Sequence, residues 1–488
     1  MQLNLIVLLT ACGIGVANPL LGLGLLLILE NTIFWLGANY ARVPLPFGSA
    51  SPMNALILCL LITNALRRAS ASAVEAGNEA SRMLRVAILP YLGWLVFCQV
   101  VGLVGGNYLK YHDSIAGVLR FNLESILPWA LVPVVYGLSK RDTHRLLQLI
   151  SVLMAITAIC HCVIAVFDLR SMIMTAYYDP AGSATPIHSW RQHALVVAEV
   201  VRAWPSGVML MIYLLVFLSC AKIVGHKHGR GAWASGVITL LVISLSLTVT
   251  RVYIALSLTG IGIGTLLALR LRTVSLGTVL TRTATAMLGL ALIAAALFAL
   301  RPDYKDQWLT RLGDFSEDSQ IFSRTTSRGL NNLGALEAVK ASPLIGYGVQ
   351  DYPDEFALGS DAVDNLHSDI HPMLSLCLAS GIPGLLLFLR MHWLLFKGFF
   401  VKCVGDRTRQ LALLPYAALI ILNVVANSTG AGGTIVGRPV FAFVLFVGLM
   451  ARDYKTSSGR AHHPGMVVQA AALVDTLSCA PSLSERTA

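Results

Sequence analysis

The sequence predicts an all-α, polytopic integral membrane protein, and three observations carry that prediction. Apolar residues gather in repeated stretches of roughly 17 to 25 residues, each long enough to cross a hydrocarbon core of about 30 Å. Only 12% of the 488 residues are charged and 56% are hydrophobic, where a soluble domain carries about a quarter charged residues. The runs are continuously apolar, as in NALILCLLITNAL (54–66) and ALIAAALFAL (291–300), and do not alternate with period two. That pattern excludes a transmembrane β-barrel.

Charged residues, Pro and Gly punctuate these runs into spans near 3–17, 19–37, 51–67, 86–105, 119–138, 146–167, 205–222, 232–250, 252–271, 279–300, 373–396, 410–427 and 437–451. The first two are short and read either as a hairpin or as one tilted crossing, so the expected count is twelve or thirteen. LTACG around Cys12 resembles a lipoprotein cleavage box, but no Lys or Arg precedes it and the apolar run is short. The expectation there is an uncleaved membrane segment.

Lys and Arg collect in alternate short connections: Arg67, Arg68, Arg82 and Arg85; Lys140, Arg141 and Arg145; Lys222, Lys227 and Arg230; Arg270, Arg272 and Arg282; Lys397, Lys402, Arg407 and Arg409; Arg452, Lys455 and Arg460. By the positive-inside rule those connections are cytoplasmic. Two long connections, 168–204 and 301–372, then face the other side. The second holds twelve acidic residues against six basic, in a chain whose formal charge is +11. The basic excess is therefore a topology signal, and no nucleic-acid partner is expected. Nine cysteines, an odd number, lie mostly inside apolar stretches, where a thiol behaves as a small hydrophobe. Cys160, His161 and Cys162 diverge on a helix and make a poor metal cluster.

A loop of some seventy residues outside the membrane points to function. Leu330, Leu333, Leu336 and Val339 recur at helical spacing, with Asn331, Asn332, Glu337 and Lys340 between them. Residues 329–341 thus read as an amphipathic helix suited to lying on the membrane surface, stopped by Pro343.

Phosphate-binding G-x-x-x-x-G-K-[ST], H-E-x-x-H and paired C-x-x-C motifs are missing from the sequence. The glycines of GIGIG (260–264) and LGLGL (21–25) lie inside apolar spans and are expected to permit close helix packing. Mid-membrane ionisable residues are few: Glu30, Glu124 and His161. That argues against ion-coupled transport.

The outer face instead carries arginines and histidines. Arg202 precedes Trp204, Pro205 and Gly207 where the first long loop returns to the membrane; Arg251 sits in LTVTRVYIAL at a tight outer turn; Arg328 lies in TTSRGL; His367 and His371 lie in NLHSDIHP just before a span. Guanidinium forks match phosphate oxygens, and a histidine at the membrane edge can take a proton near neutral pH. Together they suit a lipid-anchored diphosphate. Arg301 and Arg438 read as headgroup anchors. Asp351, Asp354 and Glu355 read as a solvated surface rather than a Ca²⁺ or Mg²⁺ site, and no third metal ligand accompanies His367 and His371.

SRTTSRGLNNLGALEAVKASPLIGYGVQDYP (323–353) followed by NLHSDIHPMLSLCLASGIPGLLLFL (365–389) resembles the core of the O-antigen ligase and O-antigen or exopolysaccharide polymerase family. The shared order is a serine–arginine start, a helix, P-L-x-G-x-G, and a histidine opening a span that ends G-x-x-G-L-L. LTVTR at Arg251 is similar to that family's T-x-S-R turn, and Arg202 with Gly207 to its arginine-to-glycine segment. The likeness covers roughly 200–395. Where the family places Gly ten residues after its histidine's neighbour, His371 reaches Gly381 one residue early and His367 three late, so the catalytic histidine is His371 or His367, with His371 favoured.

The resemblance implies a wholly helical C-type glycosyltransferase (GT-C) fold in a bacterial inner membrane, with periplasmic long loops. It implies transfer of a glycan from undecaprenyl diphosphate to an acceptor hydroxyl, on a growing glycan or on lipid A–core. His371 or His367 would act as base and Arg202, Arg251 and Arg328 would hold the diphosphate. Gly346, Gly348 and Asp369 belong to the structural or substrate loop. No metal or other cofactor is expected, and membrane lipids and polysaccharide export or chain-length proteins are the other expected partners. The expected divisions are N-terminal helices with the first outer loop (1–200), a ligase-related core (201–400), C-terminal helices (401–451) and a disordered cytoplasmic tail (452–488). The rival expectation is a lipid-linked oligosaccharide flippase or polysaccharide transporter.

Overall fold

The computed structural model describes residues 2–31, 43–45, 48–50, 52–70, 79–106, 125–167, 207–248, 250–300, 302, 305–306, 308–309, 327–349, 352–356, 358, 370–403, 406–429 and 438–461. In chain order the helices are α1 (Gln2–Ala17), α2 (Pro19–Asn31), α3 (Pro52–Ser70), α4 (Glu79–Val104), α5 (Leu131–Tyr136), α6 (Lys140–Val166), α7 (Val208–Ile223), α8 (Ala232–Leu247), α9 (Arg251–Arg270), α10 (Leu276–Leu300), α11 (Ser327–Ala341), α12 (Pro372–Phe399), α13 (Arg407–Ser428) and α14 (Arg438–Ala461). A two-stranded antiparallel hairpin, Val43–Leu45 with Gly48–Ala50, pairs Val43 with Ala50 between α2 and α3. It is the one sheet among the described residues.

Among the described residues five stretches are long and apolar enough to cross a membrane: Glu79–Val104, Lys140–Val163, Arg251–Arg270, Pro372–Cys403 and Arg407–Ser428. Shorter apolar helices, Pro19–Ile28, Asn54–Arg67, Leu127–Tyr136, Val208–Ile223 and Ala232–Leu247, accompany them. This is an all-α membrane protein. The first two helices form a hairpin and not one crossing, because a Cβ on Gly22 would stand 2.7 Å from the Gly15 Cα. Asn18 makes the turn, its Oδ1 accepting the Leu20 N–H at 3.0 Å.

The centre of the bundle is α7, whose residues Met209–Leu218 are all buried. A helix apolar on every side belongs in the interior. The close packing expected of GIGIG holds: a Cβ on Gly260 would meet Val216 at 2.7 Å and Leu422 at 3.0 Å, and one on Gly264 would collide with Cys220. These contacts set α9 parallel to α7 and antiparallel to α13. The buried polar groups at this junction form one chain. Tyr213 Oη donates to Asn423 Oδ1 at 2.5 Å, Asn423 Nδ2 donates to His392 Nε2 at 2.7 Å, and His392 Nδ1 donates to the Phe388 carbonyl at 2.8 Å. Buried polar atoms without partners are costly, and here each has one.

One end of the bundle gathers the basic connections. Arg67 donates to the carbonyls of Val16 and Ala17, Arg282 to Ile223, Arg407 to Arg272 and Arg409 to Tyr454. These are largely the unpaired carbonyls of helix ends, which guanidinium groups satisfy. At the same end Tyr416 donates to Asp453 at 2.7 Å and Tyr454 to Glu79 at 3.0 Å. Tyr454 is buried and carries the Arg409 guanidinium 3.8 Å over its ring. Those contacts carry α14 on to Ala461, past the boundary at 452 where a disordered tail was expected.

Helix α11 is where the sequence places it, but its buried face is different. Asn332, Ala335, Ala338 and Val339 are buried, while Leu330, Leu333 and Leu336 are only partly covered. The helix packs on the first half of α12 through this small-residue stripe, together with Tyr352, Ile370, Cys377 and Leu378. Small side chains admit a close backbone approach, and a Cβ on Gly334 would meet the Phe356 carbonyl at 2.6 Å. The expectation of a helix lying by its leucines on the membrane surface gives way to a helix docked on protein.

Candidate functional site

The span expected at 373–396 is broken. At Gly381 the backbone takes φ 65° and ψ −179°, a region that essentially only glycine occupies. His371 reaches Ser428 and His392 reaches Asn423. A straight helix would separate the two histidines by about 30 Å, whereas Ser428 and Asn423 stand about 8 Å apart along α13. The chain therefore turns sharply at Gly381.

The break frees backbone groups that an apolar interior cannot leave bare. The P-L-x-G-x-G segment supplies partners: Tyr347 N–H donates to the Leu378 carbonyl at 2.5 Å, and Ile382 N–H donates to the Pro343 carbonyl at 2.7 Å. Trp94 Nε1 takes the Ser380 carbonyl at 2.8 Å. Gly346, at φ 71°, leaves no room for a Cβ, which would collide with the Leu378 carbonyl; a Cβ on Gly381 would collide with Leu344 in the same way. Gly348, at φ 76°, is buried beside them. The two glycine motifs singled out in the sequence thus meet each other, backbone to backbone.

His371 stands at the head of this assembly as the N-cap of α12. Its backbone N–H donates to Asn332 Oδ1 at 2.7 Å, its Nδ1 accepts the Met373 N–H at 3.3 Å, and its Nε2 lies 3.0 Å from the Ser428 carbonyl. A ring nitrogen facing a carbonyl must carry the proton, so Nε2 is the donor and Nδ1 the basic nitrogen. The strong contact orients the ring, and the basic nitrogen accepts a long bond from the Met373 N–H. An imidazole held in this way can act as a general base.

Helix register brings the other residues to this end. Gly260 lies against Leu422 of α13 and Val216 of α7, and Gly264 lies against Ala418 and Cys220. Carried back nine residues, the same register sets Arg251 level with Gly207 on one side and just beyond the Ser428 end of α13 on the other. The Arg251 Nη1 is shielded from solvent. Arg328 is in the first turn of α11, four residues before Asn332. Arg202, His367 and Asp369 lie outside the described residues, as do Asp351 and Glu124.

Asn332 was missed, being indistinguishable in sequence from its neighbour Asn331. His161, expected as a mid-membrane ionisable group, is buried with Nδ1 2.9 Å from Ser244 Oγ. Among the described residues no three His, Cys, Asp or Glu side chains converge to hold a metal ion. Comparison of the chain with protein-family models, with curated proteins and with solved structures finds no match.

Proposed function

We propose that this chain is a membrane-embedded glycosyltransferase of the GT-C kind that moves a glycan from undecaprenyl diphosphate to an acceptor hydroxyl, as an O-antigen or exopolysaccharide polymerase or as an O-antigen ligase. The observation that carries the reading is the setting of His371. Its Nε2 is held by the Ser428 carbonyl, which leaves Nδ1 as the basic nitrogen, at the bundle end where Arg251 and the first turn of α11 also lie. In this reading that end faces the periplasm, the twelve or thirteen spans cross a bacterial inner membrane, and the arginine-rich end faces the cytoplasm.

The chemistry follows from the location. No nucleotide sugar is at hand outside the membrane, so the donor brings its own leaving group. The acceptor oxygen attacks the anomeric carbon as its proton passes to His371 Nδ1. The anomeric C–O bond breaks, and its electron pair leaves on the lipid diphosphate. Attack opposite the leaving group inverts the sugar carbon. Arg251, with Arg202 and Arg328, supplies positive charge to the departing diphosphate; preorganised charge of this kind lowers a barrier by several kcal/mol.

The test is a pair of variants. His371→Ala abolishes the transferred product while the protein persists in the membrane, and His367→Ala leaves product in place. The reverse result overturns the assignment of the base.

A further inference from the structure

Asn423 and Asn427 lie one turn apart on the same face of α13, and both are fully buried. Asn423 has both amide atoms satisfied, by Tyr213 and His392. Asn427 does not. Its Nδ2 donates to the Asn423 carbonyl at 2.7 Å, but its Oδ1 is buried with no hydrogen-bond partner among the described residues. Folded proteins rarely leave such an atom bare, and those that remain call for an explanation.

Position supplies one. Asn427 precedes Ser428, whose carbonyl holds His371, and the helix register sets this end of α13 just short of Arg251 and of the start of α7 at Gly207. Of the other buried side-chain atoms without partners, those on His226, Arg409 and Arg452 lie at the opposite, basic end, and Asn54 Oδ1 lies in the first turn of α3. The bare atom of Asn427 is an acceptor. An ionised diphosphate offers it no proton and repels it, whereas a sugar hydroxyl or an acetamido N–H satisfies it. We infer that Asn427 recognises the sugar of the lipid-linked glycan, its Oδ1 accepting a hydrogen bond from a hydroxyl or amide N–H between the Arg251 and His371 positions. This rests on the glycosyltransferase reading and names the group that reads the glycan.

The experiment uses the full-length protein in lipid nanodiscs with two probes: undecaprenyl diphosphate alone, and undecaprenyl-diphosphate glycans extracted from cells that carry the protein. Thermal midpoints are read without ligand and with each probe, for the wild type, Asn427→Leu and Asn427→Ala. Leucine fills the same space without a polar atom, so the ligand-free Asn427→Leu protein melts at or above the wild type. Both variants keep the shift given by undecaprenyl diphosphate and lose the additional shift given by the glycan. In transfer assays their KM for the lipid-linked glycan rises about tenfold with kcat little changed, as loss of one uniform hydrogen bond requires. Retention of the glycan-specific shift overturns the inference and leaves the glycosyltransferase reading standing. So does a lowered ligand-free midpoint in both variants, which would make Asn427 a structural residue. A wild type shifted by neither lipid overturns both.

Discussion

Replacing Gly381 by alanine tests the joint on which the site is built. At φ 65° and ψ −179° an L-residue pays about 1–3 kcal/mol for its backbone conformation. The added methyl would also collide with the Leu344 carbonyl, backbone that cannot swing aside. Relief requires the 342–347 segment to leave, forfeiting the Ile382-to-Pro343 and Tyr347-to-Leu378 bonds, each contributing roughly 0.5–1.5 kcal/mol. The docking of loop on helix should weaken by roughly 3–5 kcal/mol, or about two to four decades in the opening equilibrium. Hydrogen exchange by mass spectrometry on the purified protein reads this directly. Peptides covering 342–348 and 378–384 should exchange on the order of a hundredfold faster in Gly381→Ala. Gly262→Ala, whose added Cβ meets nothing within 4 Å, is the control and should exchange as the wild type does. Unchanged exchange in Gly381→Ala would refute the docking of the glycine motifs.

Two further predictions concern charge. Arg251→Lys should not restore transfer, because a point charge cannot replace a planar fork at a diphosphate; full activity in a quantitative product assay would remove Arg251 from the site. The 224–231 turn should make stability pH-dependent. Burial, then Lys227 and Arg230, holds His226 down to about 4; burial, then His226, Lys227 and His144, holds His228 down to about 3. Unfolded histidines titrate near about 6.5. Between those values the unfolded chain binds protons that the folded turn refuses, so stability is full above about pH 6.5 and falls as the pH drops toward 4, by on the order of 2 kcal/mol per histidine. A His226→Gln/His228→Gln protein should show a flatter dependence of thermal midpoint on pH between 8 and 5, and an unchanged slope would contradict the assignment.

Within the described residues every expected span overlaps helix, and five of the helical stretches are long and apolar enough to cross a membrane, because long apolar runs satisfy their backbone most readily as helix. The ends are less legible. Helix α4 begins at Glu79, not near 86, and α6 at Lys140, not near 146, since a helix continues through charged residues that bond at the bundle end. Ser139 caps α6 by accepting the Asp142 N–H at 3.1 Å, a signal the hydropathy reading passed over. The break in α12 was hidden because Ser380-Gly381-Ile382-Pro383 sits in an otherwise apolar run; only the Gly-x-Pro spacing hints at it. Of the candidate site, His371, Arg251 and the two glycine motifs are singled out in the sequence by their residue types. Asn332, Ser428 and Asn427 were not, since their importance comes from neighbours 39 or more residues away in the chain for the first two, and from the want of a partner for the third.

The most direct measurement places the purified protein in vesicles with lipid-diphosphate-linked glycan and a glycan acceptor, and follows glycosidic bond formation and glycan translocation together. The account predicts a new glycosidic bond and release of undecaprenyl diphosphate, both lost in His371→Ala. Movement of the intact lipid-linked glycan across the bilayer without bond formation would contradict it.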